Sequence, residues 1–231
     1  MPQIICTLTN ERVKSITASL FLQLEKHIIE SGMGEDKDSF ETIKQRLLTP
    51  PTLNAEQFAE EAIYVILAGG FRQKTAKKKF GDIMQFINAT KGEQTEITTP
   101  NLLPIFNNKN KINAIVKIWH NRTNYRDKFY SLKTDSEKLA YLGTLPHIGD
   151  ITKNHLARNL GISNVKYDVW IQRLGLALAG SDESVQFPLT EDTKNLCDKM
   201  FSAIEKVTAL NKGYIDVVLW KACQEGILQF R

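Results

Sequence analysis

The sequence predicts an all-α fold of about ten helices joined by short loops. Apolar residues recur three and four positions apart along almost the whole chain, the spacing that lines one face of an α-helix. The interruptions fall at glycine pairs, at Pro50-Pro51 and in short polar runs, where helices stop. The chain also carries no internal repeat and no low-complexity tract.

In order, residues 12–31 place Ile16, Leu20, Leu24 and Ile28 on one face and end near Gly32. An acidic loop, GMGEDKDSFE, follows, and then a short helix that Pro50 terminates. Residues 55–67, AEQFAEEAIYVIL, form an amphipathic helix with Asn54 as its N-cap. Gly69-Gly70 interrupts it, and a basic helix beginning KTAKKKF comes next. Residues 88–101 have no apolar period and read as a loop. Helices follow at 109–120, 122–132 and 134–142. A further loop is expected at 182–189, and two long helices at 190–209 and 213–228 close the chain.

With 231 residues, 42% hydrophobic and 24% charged, the chain can bury a substantial core as one domain or two small lobes. A net charge of +4 permits an anionic partner without requiring one. Cys6, Cys197 and Cys223 are scattered and odd in number, against a disulfide framework and against a four-cysteine cluster. His27, His120, His147 and His155 show no metal-ligand spacing, so no metal is expected. No apolar window approaches a membrane span, and no secretion signal opens the chain. The expectation is a cytoplasmic protein.

The most informative stretch is LPHIGDITKNHLARNLGISNVKYDVWIQRLG, residues 145–175. Pro146 fixes one backbone angle, and Gly149 can take the positive φ of a tight turn between two helices. The helix beginning near Asp150 starts with unpaired amides that suit a phosphate oxygen. Thr152 and Lys153 add a hydroxyl and a positive charge in its first turn. Such a hairpin grips a nucleic-acid backbone without reading bases. The plainer alternative is a turn whose glycine ends a helix. Beyond it, HLARNLG closes a helix at Gly161, and Asp168 precedes the helix VWIQRLGLAL.

In these residues the chain resembles the helix-hairpin-helix DNA glycosylase superfamily. The family's hairpin, L-P-x-[IV]-G-x-x-T, matches Leu145, Pro146, Ile148, Gly149 and Thr152, with Leu156 and Leu160 at packing positions. Its essential aspartate, opening the following helix, matches Asp168. The resemblance is strong over 140–175 and weaker over 59–90, where IYVILAGGFRQKTAKKKF is similar to an early helix and DNA-probing loop. YIDVVLWKAC is similar to the family's closing helix.

The resemblance implies a two-lobed helical fold. Residues 1–79 would pack with 185–231 as one lobe, and 80–184 would form a helical barrel carrying the hairpin, at about 140–161, and the aspartate. It also implies double-stranded DNA as partner, a monomer associated with the nucleoid, and no cofactor beyond a monovalent cation at the hairpin. His147, Ile148, Gly149, Ile151, Thr152 and Lys153 would lie along the DNA backbone.

Asp168 carries the chemistry the resemblance implies. A carboxylate beside C1′ stabilises the positive charge of a breaking N-glycosidic bond and can take a proton from water. Its plainer role is to cap the helix at Val169, and the two roles are compatible. Family members that also nick the strand have a lysine two residues past the hairpin glycine; here Ile151 stands there. Lys153, two residues further along a helix, points about 200° away. The implied enzyme is monofunctional and leaves an abasic site.

Extruding a base needs something to fill the gap. Phe71 is either that wedge, with Arg72 and Gln73 at the orphan base, or a core aromatic. Lys74, Lys77, Lys78 and Lys79 form a solvated face or approach the backbone. Tyr167 and Trp170 can stack as a base pocket, whereas Trp119 and Trp220 read as core. Asp216, inside GYIDVVLW, reads as a partly buried, paired carboxylate. Two other readings stay open: a viral-type enzyme that builds modified thymines by group transfer on the same scaffold, and a non-catalytic DNA-binding protein.

Overall fold

Two stretches are apolar on nearly every side, and each becomes the buried axis of one packed unit. The structure, a computed structural model, describes residues 6–8, 18–32, 38–179, 185–186 and 188–230. Parts of the expected helix 12–31 and of the loops at 32–41 and 182–189 lie outside these. In chain order the elements are β1 (Cys6–Leu8), α1 (Ala18–Glu30), α2 (Phe40–Leu48), α3 (Ala55–Ala68), α4 (Gln73–Ala89), α5 (Thr99–Leu102), α6 (Lys109–His120), α7 (Arg122–Ser131), α8 (Asp135–Leu142), α9 (Asp150–Asn159), α10 (Val169–Ala179), α11 (Glu191–Thr208), α12 (Lys212–Gln224) and β2 (Leu228–Phe230).

One unit runs continuously from Thr49 to Ile162. Its axis is α3, where Phe58, Ala59, Ala62, Ile63, Val65, Ile66 and Leu67 are all buried. Helices α4, α6, α7 and α9 pack around it. Asn54 caps α3, accepting the Gln57 amide while the Gln57 side chain accepts the Asn54 amide. Within the expected loop at 88–101, Ile97 is fully buried and α5 begins at Thr99. A single apolar anchor of this kind has no period to detect.

The other unit combines residues 1–48 with 163–231. Its axis is α12, whose Tyr214, Ile215, Val217, Val218, Leu219, Ala222 and Cys223 are buried, with α1, α2, α10 and α11 around it. Helices α10 and α11 approach so closely that a Cβ on Gly175 would stand 2.5 Å from Cys197 Sγ. The all-helical expectation needs one addition. Strands β1 and β2 pair in parallel, with Cys6 opposite Leu228 and Leu8 opposite Phe230. The helix expected at 213–228 therefore ends at Gln224, and Gly226 (φ 70°) turns the chain into the strand.

These units are divided differently from the lobes expected at 1–79 with 185–231 and at 80–184. Residues 49–79 belong with the hairpin, because α3 packs on α4, α6, α7 and α9. Residues 163–184, with Asp168, belong with the terminal helices, because α10 packs on α11 and α12.

Candidate active site

The hairpin joins α8 to α9. Leu145 and Ile148 are both buried, and their amides close the turn by donating to Leu142 O (3.2 Å) and Leu145 O (3.1 Å). The left-handed residue is His147, at φ 61°, while Gly149 sits at φ −97° as the N-cap of α9. This corrects the expectation of positive φ at the glycine: Pro146 holds one angle, and His147 must reverse the chain for Ile148 to reach the core. A Cβ on Gly149 would meet only Thr152 Oγ1, at 4.0 Å. Glycine is therefore not demanded by strain there; it leaves the backbone open. The His147 imidazole is exposed, but partial desolvation and the nearby charge of Lys111 hold its pKa below the ordinary range.

Thr152 turns its hydroxyl back on the hairpin, accepting the Gly149 amide (2.8 Å) and donating to Gly149 O (3.2 Å). Lys153 lies 2.7 Å from Asp150 Oδ1, with its alkyl stem over Gly143. Ile151 is half-buried. The first bond of the helical ladder is Lys153 N–H to Gly149 O, at 2.8 Å. The amides of Asp150, Ile151 and Thr152 precede it, the usual condition of a helix N-terminus.

In the same unit, the loop between α3 and α4 carries Phe71, which is 42% exposed and meets Phe106 edge-on at 5.6 Å. Arg72 is exposed at the N-cap position of α4, and Gln73 begins that helix half-buried. The Gly69 end of the loop lies against the hairpin: a Cβ there would be 3.6 Å from Thr152 Cγ2. Lys74, Lys77 and Lys78 face solvent, whereas Lys79 donates to Ile105 O at 2.9 Å.

Lys111 escapes a reading of the sequence. It is only 6% exposed. Its ammonium donates to Leu67 O (3.4 Å) and to Gly69 O, and stands 4.6 Å from the Phe71 ring centroid. A cation thus meets the carbonyl end of α3, where the helix dipole favours it. Burial lowers the Lys111 pKa. The available signal was its place three and four positions from buried residues on the α6 face that holds Ile115 and Ile118.

In the unit built on α12, Asp168 precedes α10. Its Oδ1 accepts the amides of Trp170 (2.9 Å) and Ile171 (3.3 Å), the bonds of an N-cap. Its Oδ2 lies 3.7 Å from Lys166 Nζ, and the carboxylate keeps partial access to solvent. Asp216, 1% exposed, accepts the Lys166 amide at 3.2 Å. Burial pushes the Cys223 thiol up, and the Asp168 and Asp216 carboxylates add to the effect. Tyr167 donates its hydroxyl to Asp198 on α11, and burial chiefly raises its pKa. Trp170 is half-buried, with the Arg173 guanidinium 5.5 Å from its ring. Trp119 is buried and Trp220 half-buried.

No protein-family model matches the chain, and no curated protein matches it. Among solved structures it is similar to the 8-oxoguanine DNA glycosylase of Thermotoga maritima, at 15% identity and a TM-score of 0.60, over 87% of this chain and 94% of that one. A likeness at that identity is one of fold. It bears out the helical fold expected from the sequence.

Proposed function

We propose that the protein is a DNA N-glycosylase that removes a damaged or enzymatically modified base from double-stranded DNA and leaves an abasic site. The observation that carries this is Asp168: a partly accessible carboxylate, held by two amides at the start of α10, in a chain with the fold of a DNA glycosylase.

In the proposed reaction the C1′–N bond breaks with its electron pair leaving on the base. Positive charge builds on the sugar, and Asp168 stabilises it electrostatically. Water then bonds to C1′ while the carboxylate takes its proton. The hairpin holds the backbone through the amides at the start of α9. Of the residues expected there, Gly149 and Ile151 contribute main chain, because Ile148 is buried and Thr152 is occupied within the turn. Lys153 contributes positive charge, and His147 a neutral imidazole that can donate a hydrogen bond. Phe71, Arg72 and Gln73 probe the stack, and Tyr167 and Trp170 border the everted base. Ile151 supports the monofunctional reading, since it has no amine to attack C1′. A monovalent cation at the hairpin would be a structural ion: the Leu145 carbonyl accepts one amide and keeps a second lone pair that could face it. No step passes through it. The enzyme acts as a monomer in the cytoplasm, near the nucleoid.

The test is incubation with duplexes bearing single modified bases, followed by alkali cleavage and mass spectrometry of released bases. Alkali-labile sites and free base, both lost in Asp168→Asn, are expected. Scission without alkali, or a borohydride-trapped adduct, would refute the monofunctional step. Altered bases without abasic sites would favour a transferase, and binding without release a DNA-binding module.

A further inference from the structure

We infer that Lys166 is a positioning residue for Asp168: its ammonium restrains Oδ2, the carboxylate oxygen that does not cap α10. The inference rests on Asp168 being the catalytic carboxylate.

Two amides hold Oδ1, at 2.9 and 3.3 Å, so one end of the carboxylate is fixed by the helix. The other end can still swing. Lys166 Nζ stands 3.7 Å from Oδ2, too far for a hydrogen bond and close enough for a direct charge interaction. The lysine is itself held at several points. Its amide donates to Asp216 Oδ2 at 3.2 Å, its carbonyl accepts the Asp168 amide at 2.7 Å, and its ammonium lies 5.5 Å from the Trp220 ring centroid.

Asp216 is rooted in the core on α12. The start of that helix is pressed against the segment leading to Lys166: a Cβ on Gly213 would meet Asn164 N at 3.0 Å. Asp216, Trp220 and Cys223 all face this site from α12, so the cation is presented by a main chain fixed on the best-packed helix of its unit. Because the contact is Coulombic and lacks a hydrogen bond's directional demand, another cation of similar reach can replace it. A neutral side chain cannot.

The experiment uses the full chain and those modified duplexes from which the wild type releases a base, with a duplex containing a tetrahydrofuran abasic analogue for affinity. Lys166→Met and Lys166→Gln are expected to lower kcat by about 10- to 100-fold, the scale of a displaced reacting group, with KM and affinity for the tetrahydrofuran duplex changed less than about threefold and thermal unfolding nearly unchanged. Lys166→Arg should restore most of the activity, which a merely structural role would not require. Three outcomes overturn the inference. One is full activity in both neutral variants. Another is a loss confined to KM and affinity, which would make Lys166 a phosphate contact. The third is a borohydride adduct on the wild type that Lys166→Met abolishes, which would make it a nucleophile. A fully active Asp168→Asn enzyme, or no release from any duplex, defeats the glycosylase reading as well; a dead Asp168→Asn beside an active Lys166→Met defeats the positioning role alone.

Discussion

A carboxylate at a helix N-terminus gains amide donors and the positive end of the helix dipole, and it is ordered whether or not it has a reaction to perform. Asparagine caps about as well as aspartate, so Asp168→Asn should change stability by less than about 0.5 kcal/mol. Turnover should fall by at least about a hundredfold, with binding to the tetrahydrofuran duplex retained. Parallel urea melts, single-turnover rates and binding titrations check all three.

His147 yields a second outcome. Its folded-state pKa is lowered, so the unfolded chain binds the proton more readily. The stability contribution of this group is complete above about pH 6.5 and is lost as the pH falls through the folded value. His147→Asn keeps a residue that tolerates left-handed backbone and should reduce the loss of urea resistance between pH 7.5 and 5. The capping role of Asp168 was legible because it depends on its own helix. The left-handed residue of the hairpin was not, since that choice depends on which neighbour the core must receive, here Ile148.

The helices themselves follow from local patterning: α3 begins at the expected cap, and α6 to α9 match their apolar periods within a residue or two. Long-range partners escaped that approach. Strand β2 exists because residues near the two ends of the chain pair, Cys6 with Leu228. Lys111 is held by carbonyls that lie 42 and 44 positions earlier. Through it α6 anchors the end of α3 and the Phe71 ring, so Lys111→Met should loosen the loop while α6 stays folded. Hydrogen exchange is expected to speed up at the amides of Gly69 to Arg72 and to stay unchanged across Ile112 to Trp119. Uniform acceleration in both segments would contradict a local anchor.

The chain is divided so that one unit is continuous and the other is assembled from both ends. Residues 49–162 hold a self-contained core around α3, extending from Phe58 to Ile162. Expressed alone, they should show cooperative urea unfolding and helical circular dichroism, with weak, salt-dependent DNA binding and no base release, because Asp168 is absent. Residues 163–231 alone should not fold cooperatively, because α12 would lose α1 and α2, which supply Phe21, Leu24, Ile28, Phe40 and Ile43 to its core. Helix positions, the hairpin and the aspartate beyond it could be read from residue order, because each is written within a few turns of chain. The assignment of Asp168 to the terminal unit, the burial of Lys111, the ribbon joining the two ends and the ammonium beside Oδ2 could not. They arise where segments far apart in sequence compete to bury apolar surface, and that competition is resolved only when the whole chain packs.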